Sequence, residues 1–141
     1  MNKTIATLFL LLPLSVSGEC LNEINNESDL LLSNICNYES TAVVEIESIS
    51  LNGKCNPLTY FKSHRTYTIN ASVKKSIKGN SEGKICFFQW REEPFDNVRS
   101  MKSNIFITSF NKSNNCAVLE VGSILKANET LLKLIENEDF K

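Results

Sequence analysis

Residues 66–74, TYTINASVK, alternate polar and apolar side chains without a break. The apolar positions are Tyr67, Ile69, Ala71 and Val73. Because successive side chains of a β-strand point to opposite faces of a sheet, this period of two predicts a strand with one buried and one hydrated face. The turn-forming residues KGNSEG, 78–83, end the segment. A half-buried strand therefore lies near the middle of the chain.

Four other segments predict strands from their β-branched and aromatic residues: 41–51, 84–91, 104–110 and 117–121. Residues 52–57 and 111–115 are rich in Asn, Gly and Ser, which predicts turns, and residues 92–103 contain Pro94 and predict a long loop. Strands that follow one another across turns favour an antiparallel meander. A small five-stranded barrel is the first interpretation, because closure removes exposed strand edges. An open sheet with helices on one face is the second.

Short helices are predicted on both sides of the strands. Capping residues at 26–29 precede a helix over 29–35, and we expect Leu31 and Ile35 to pack on the sheet. Asn128 caps a second helix over 129–136, whose apolar residues share one face.

The first eighteen residues have the three parts of a secretory signal peptide. Lys3 is followed by an apolar stretch at 5–14 and by small residues at 15–18, with cleavage expected after Ser17 or Gly18. The apolar stretch is about half the length of a membrane span, so no membrane span is predicted. Glu19 stands before Cys20, which disfavours a lipoprotein site. Residues 19–141 are expected to form a single domain that is secreted or periplasmic.

All five cysteines follow the predicted signal peptide: Cys20, Cys36, Cys55, Cys86 and Cys116. This distribution favours disulfides in an oxidising compartment, with one thiol left over. The residues alone leave the pairing open. Disulfides and one buried thiol are a better interpretation than a catalytic cysteine, because no partner for a nucleophile is visible.

Charge and motifs give no support to nucleic-acid binding, a cofactor or catalysis. The formal net charge is −1, and no basic cluster is present. His64 is the single histidine, so no metal site is predicted, and no nucleophile elbow or phosphate-binding loop occurs. The chain is therefore not predicted to be an enzyme.

The most aromatic stretch is FFQWR, residues 87–91. Alternation places Phe88 and Trp90 on one side of the strand, and the favoured interpretation is that this side packs in the core. The alternative interpretation is that Trp90 and Arg91 form a ligand-binding face of a barrel.

Three segments in order carry a resemblance to a known family: STAVVEI at 40–46, YTINASVKKSIKG at 67–79 and SNIFITSF at 103–110. They resemble segments of the tissue-inhibitor-of-metalloproteinase-like domains, which are netrin-type OB barrels with short secreted bacterial relatives. The resemblance spans roughly residues 20–135. It implies a mainly β, five-stranded OB-like barrel with a short N-terminal helix and a C-terminal helix.

Inhibitory members of that family present cysteine as the first mature residue, which chelates a protease zinc. Here Glu19 precedes Cys20 and residue 22 is Asn, so Cys20 is carried over only as a disulfide partner. The resemblance implies that Cys20 and Cys36 bridge toward Cys86 and Cys116, which leaves Cys55 as the free thiol.

The predicted function is an exported binding module, protease-inhibitor-like or of another kind, that engages a protein partner through its N-terminal edge and adjoining loops. The alternatives are a thiol-dependent or hydrolytic exported enzyme and a structural envelope protein.

Overall fold

The computed structural model describes residues 20–21, 23–55, 64–92, 94–95, 99, 101, 103–138 and 140, and for 53–55 and 64 it describes the backbone alone. The predicted signal peptide, residues 1–18, lies outside this part of the chain, as do both predicted cleavage positions.

The described chain is mainly β, as predicted, with six strands between two helices. The helices are α1 (Glu27–Asn37) and α2 (Glu129–Asn137). The strands are β1 (Ser40–Cys55), β2 (His64–Lys78), β3 (Lys84–Arg91), β4 (Ile105–Phe110), β5 (Ala117–Leu119) and β6 (Ile124–Lys126).

The strands form one sheet in the order β5-β3-β2-β1-β4-β6, in which β3 and β5 are parallel and the other pairs are antiparallel. The pairing of β1 with β2 shifts register at four places. Such irregularities bend a strand and increase its twist, so the sheet curls into a half-barrel. Phe87 of β3 and Phe110 of β4 show the curl, because their ring centroids are 5.1 Å apart although two strands separate them in the sheet.

The prediction of five strands is wrong in number, because the predicted fifth segment, 117–121, is a strand only over Ala117–Leu119 and a sixth strand, Ile124–Lys126, follows it. Residues 117–119 pair with β3, whereas residues 124–126 pair with β4 at the opposite edge of the sheet. Between them the chain turns, with the Ser123 N–H donating to the Glu120 carbonyl at 3.1 Å. The turn predicted over 52–57 is also wrong for residues 52–55, which continue β1 after a register shift.

The inner face of the sheet contains the larger core, built from alternate residues of the strands. Its buried members are Ala42, Val44, Ile46, Tyr67, Ile69, Ala71, Phe87, Phe106, Phe110, Ala117 and Leu119. Val73 packs against them, so the buried face predicted for residues 66–74 is confirmed.

The outer face of β1, β4 and β6 carries the two helices. Val43, Ile107 and Leu125 point away from the inner core and join the apolar faces of α1 and α2. Leu31 and Ile35 belong to this second cluster, which confirms their predicted packing on the sheet. No helix of the described residues is long and apolar enough to cross a membrane.

Each helix begins at an asparagine cap. The Asn26 side-chain oxygen accepts from the Asp29 N–H at 2.9 Å, and that of Asn128 accepts from the Leu131 N–H at 2.9 Å. These bonds satisfy one unpaired N–H group in each first turn. Asn128 confirms the predicted start of α2.

Two disulfides join Cys20 to Cys36 and Cys86 to Cys116, with Cα–Cα distances of 5.6 Å and 4.6 Å. The pairing implied by the family resemblance, from Cys20 and Cys36 toward Cys86 and Cys116, is therefore wrong. The register explains the second bond, because Phe87 and Ala117 are paired and the two cysteines directly precede them. Disulfides of this kind are typical of proteins outside the reducing cytosol.

Candidate functional site

Strand β3 places Trp90 on the surface of the molecule. Phe87 and Gln89 are buried inside the sheet, and alternation therefore turns Phe88 and Trp90 to the other side. Trp90 is 67% exposed. Core packing of Trp90, the interpretation favoured above, is thus wrong.

Two exposed valines accompany the tryptophan. Val118 of β5 is 67% exposed and is paired with Phe88, and Val121 in the following turn is 89% exposed. Val121 and Trp90 border the same cavity. We name Trp90, Val118 and Val121 the Trp90 patch. A cluster of exposed apolar side chains of this kind is a common mark of an interaction site.

Polar side chains border the Trp90 patch on the β2 side. Thr66 is paired with Trp90, and Thr68 with Phe88. The side chain of Asn52 donates to the Thr68 hydroxyl. The patch is therefore an apolar strip with hydrogen-bonding groups along one edge.

Beside the patch, the end of the half-barrel opens into two adjoining cavities, which we name the mouth cavities. The larger has a volume of about 570 Å³ and is lined by Gln89, Trp90, Arg91, Glu92, Val121, Gly122 and Ile124. The smaller, of about 300 Å³, is lined by Arg91, Pro94, Phe95, Met101, Phe106, Ile124 and Lys126. Arg91 and Ile124 border both.

The Arg91 side chain packs over one aromatic ring at this opening. Its guanidinium lies 4.3 Å from the centre of the Phe95 ring. Phe95 packs edge-on against Tyr67, with centroids 6.0 Å apart, and its N–H donates to the Tyr67 hydroxyl at 3.2 Å. Trp90 and Arg91 are the two residues of the candidate ligand face. Their side chains lie on opposite sides of β3, but both border the larger cavity because this cavity opens at the end of the strand.

Gln89 contributes a buried polar group to the larger cavity. The residue is 2% exposed, and its side-chain oxygen has no hydrogen-bond partner. Thr108 is also buried with an unpaired side-chain oxygen. Sequence reasoning missed Gln89, because a single glutamine in an aromatic strand gives no sign of which face it takes.

The turn that carries Val121 is fastened to α1. The Tyr38 hydroxyl donates to the Glu120 carboxylate at 2.7 Å, and the Asn34 amide donates to the Gly122 carbonyl at 2.8 Å. Burial, together with the hydrogen bond and the negative charge of Glu120, raises the pKa of Tyr38 to about 12. Since the Cys20–Cys36 disulfide ties the N-terminal segment to α1, that segment is linked through the helix to the Trp90 patch.

Among the described side chains, no three His, Cys, Asp or Glu residues are grouped as metal ligands. Cys55, the last residue of β1, is paired with His64, the first residue of β2. Their side chains are outside the described part, so the predicted free thiol of Cys55 remains a prediction.

No protein-family model, curated protein or solved structure matches this chain.

Proposed function

We propose that this chain is an exported, OB-type binding module that engages a protein partner. The proposed export, to the periplasm or the medium, is supported by the signal-like sequence of residues 1–18 and by the two disulfides. Neither a nucleic acid nor a cofactor is part of the proposal.

The strand order supports an OB-type barrel. Strand β1 is paired with both β2 and β4, and β3 lies between β2 and β5. Strands β5 and β6 then correspond to a single fifth strand that changes partner at residues 120–123. A relation to the tissue-inhibitor-of-metalloproteinase-like domains stays part of the proposal and is supported by the three segments quoted above.

Exposure of the Trp90 patch is the observation that carries the binding function. Tryptophan contributes more to protein interfaces than its frequency suggests, because a large rigid side chain buries much apolar area at small entropic cost. With 67% of its surface in water, Trp90 loses most of the stabilisation that burial of a tryptophan side chain gives. A role in packing alone therefore does not explain this residue.

The proposed contact also includes the N-terminal edge, which α1 links to the turn that carries Val121. Leu21 and Ile24 are also exposed apolar residues, and they belong to the segment that Cys20 fastens to α1. The partner is thus expected to contact the N-terminal segment and the turn at residues 120–123 together.

Capture of the partner tests the proposal. The oxidised protein without its signal peptide is immobilised and exposed to the fluid into which it is exported, and each captured protein is then purified and its affinity measured. Trp90→Ala is expected to weaken binding at least about 30-fold, the loss typical of a central tryptophan. Leu51→Ala, which removes an exposed apolar side chain of β1, is the matched control and should bind normally. Equal affinity of the Trp90→Ala variant and the native protein would contradict the proposal.

A thiol-dependent enzyme is the second candidate, and one observation favours it. Cys55 and His64 are paired backbone positions of β1 and β2, and a histidine close to a cysteine can in general lower the thiol pKa. The test is the rate of alkylation of Cys55, the predicted free thiol, as a function of pH. Rapid alkylation below neutral pH that His64→Gln abolishes would support the enzyme. An ordinary thiol profile, with a pKa of about 8.5 in both proteins, would exclude it.

A further inference from the structure

The mouth cavities have the size of a small-ligand site. Volumes of about 570 Å³ and about 300 Å³ fall within the usual range for clefts that hold small molecules. Because Arg91 and Ile124 line both, a ligand at this point contacts the two cavities together. Trp90 and Val121 of the Trp90 patch also line the larger cavity, so a small ligand here would lie next to the proposed protein contact. The ligand proposed below is a different one from the protein partner, and its binding is measured without that partner.

Gln89 supplies an acceptor that the protein itself does not use. Buried side-chain oxygens almost always accept a hydrogen bond, and one that does not is unfavourable for the folded state. The Gln89 oxygen is buried without a partner in a residue that lines the larger cavity. A rotation of the Gln89 amide toward the cavity would let an N–H group of a ligand satisfy it.

Arg91 supplies a positive charge two residues further along the same face of β3. Alternate residues of a strand are about 6.6 Å apart, so one compact ligand can reach both side chains. The guanidinium is pre-positioned over the Phe95 ring, and its flat donor edge suits a carboxylate. Lys126 adds a second positive charge at the smaller cavity. The acidic residue among the described lining, Glu92, is exposed.

Apolar side chains surround the rest of the space. Ile124 lies between the two cavities, and Phe95, Met101 and Phe106 line the smaller one. A branched apolar side chain of the ligand would therefore be buried there, next to Arg91.

We propose that the mouth cavities bind an N-acylated apolar α-amino acid through its carboxylate and its N–H. The carboxylate pairs with Arg91, the N–H donates to the Gln89 oxygen, and the apolar side chain packs against Ile124 and Phe95. The same chemistry is present in a free N-acyl amino acid and in the last residue of a peptide.

Fluorescence titration with N-acetyl-leucine tests this binding. Trp90 is the single tryptophan of the chain and lines the larger cavity, so it reports occupancy. Calorimetry on the same solutions gives the affinity if the emission does not change. N-acetyl-leucinamide, which lacks the carboxylate, and N-acetyl-N-methyl-leucine, which lacks the N–H, should each bind at least about tenfold more weakly. An acetylated tripeptide that ends in leucine distinguishes the two natural ligands. Tighter binding than that of N-acetyl-leucine indicates the C-terminus of a peptide chain, and weaker binding indicates a free N-acyl amino acid.

Variants show whether the named side chains are responsible. Gln89→Met keeps the volume but removes the acceptor, and Arg91→Gln removes the charge, so each should reduce affinity for N-acetyl-leucine at least about tenfold. Thr108→Val is the control for Gln89, because it removes another buried unpaired oxygen. Lys133→Gln on α2 is the control for loss of one positive charge. Absence of saturable binding, equal affinity for the amide, or unchanged affinity in Gln89→Met would overturn the proposal.

Discussion

Gly79 is the position where one added carbon atom should damage the sheet most. Its φ is +85°, and an added Cβ would lie 2.6 Å from the Glu39 carbonyl oxygen and against the Ser40 hydroxyl. Ser40 is fully buried at the start of β1, and Gly79 directly follows β2, so Gly79→Ala forces the two strand ends apart. The left-handed backbone costs a non-glycine residue about 1–2 kcal/mol, and relief of the contact costs about 1–3 kcal/mol more.

Gly83→Ala is the matched control for this substitution. Gly83 also has a positive φ, +71°, but an added Cβ meets nothing within 4 Å. It should therefore lose only the backbone contribution, about 1–2 kcal/mol. Urea denaturation of the oxidised protein measures both free energies of unfolding. We expect the Gly79→Ala variant to be less stable than the Gly83→Ala variant by about 1–3 kcal/mol. Each kcal/mol lowers the Tm by about 3–6 °C in a domain of this size. Equal stability of the two variants would refute the close approach of the strand ends.

Further predictions concern the Gln89 side chain, the Tyr38 hydrogen bond and one disulfide. Gln89→Met removes a buried oxygen that has no hydrogen-bond partner, so it should raise the free energy of unfolding, measured by urea denaturation, by about 1–2 kcal/mol. A lower free energy of unfolding would contradict the claim that this oxygen is unpaired. Because the pKa of Tyr38 is raised to about 12 in the folded protein, from 10.0, its stabilising effect is complete below pH 10 and is lost as the pH rises toward 12. The absorbance of tyrosinate should show a group that titrates near pH 12 in the native protein but not in Tyr38→Phe. If that titration remains after the substitution, it belongs to another tyrosine. Replacement of Cys86 and Cys116 by alanine should cost about 3–4 kcal/mol, measured by urea denaturation, given the 30-residue separation; an unchanged midpoint would exclude the bond.

The strands and helix caps could be predicted from the sequence because they depend on local patterns. A period of two identified residues 66–74 as a half-buried strand, and Asn128 marked the beginning of α2. The break between β5 and β6 could not be predicted in this way. Each of these strands has three residues, and each exists because it pairs with a different edge of the curled sheet.

The face taken by Trp90 depends on contacts between strands that the sequence does not reveal. Alternation separates Phe87 and Gln89 from Phe88 and Trp90, and the second pair is the more apolar. The register decides otherwise, because Ile69 is paired with Phe87 and Tyr67 with Gln89, and both partners face the inner core. Gln89 is therefore buried and Trp90 exposed, although their polarity alone suggests the reverse.

Quenching of Trp90 fluorescence by acrylamide tests most directly whether this side chain forms an exposed binding surface. Since the chain has one tryptophan, the signal has a single origin. With 67% of its surface exposed, Trp90 should emit like indole in water and be quenched nearly as strongly as in the unfolded chain, and a bound partner should reduce the quenching. A blue-shifted emission that resists acrylamide in the isolated folded protein would place Trp90 in the core and contradict the account.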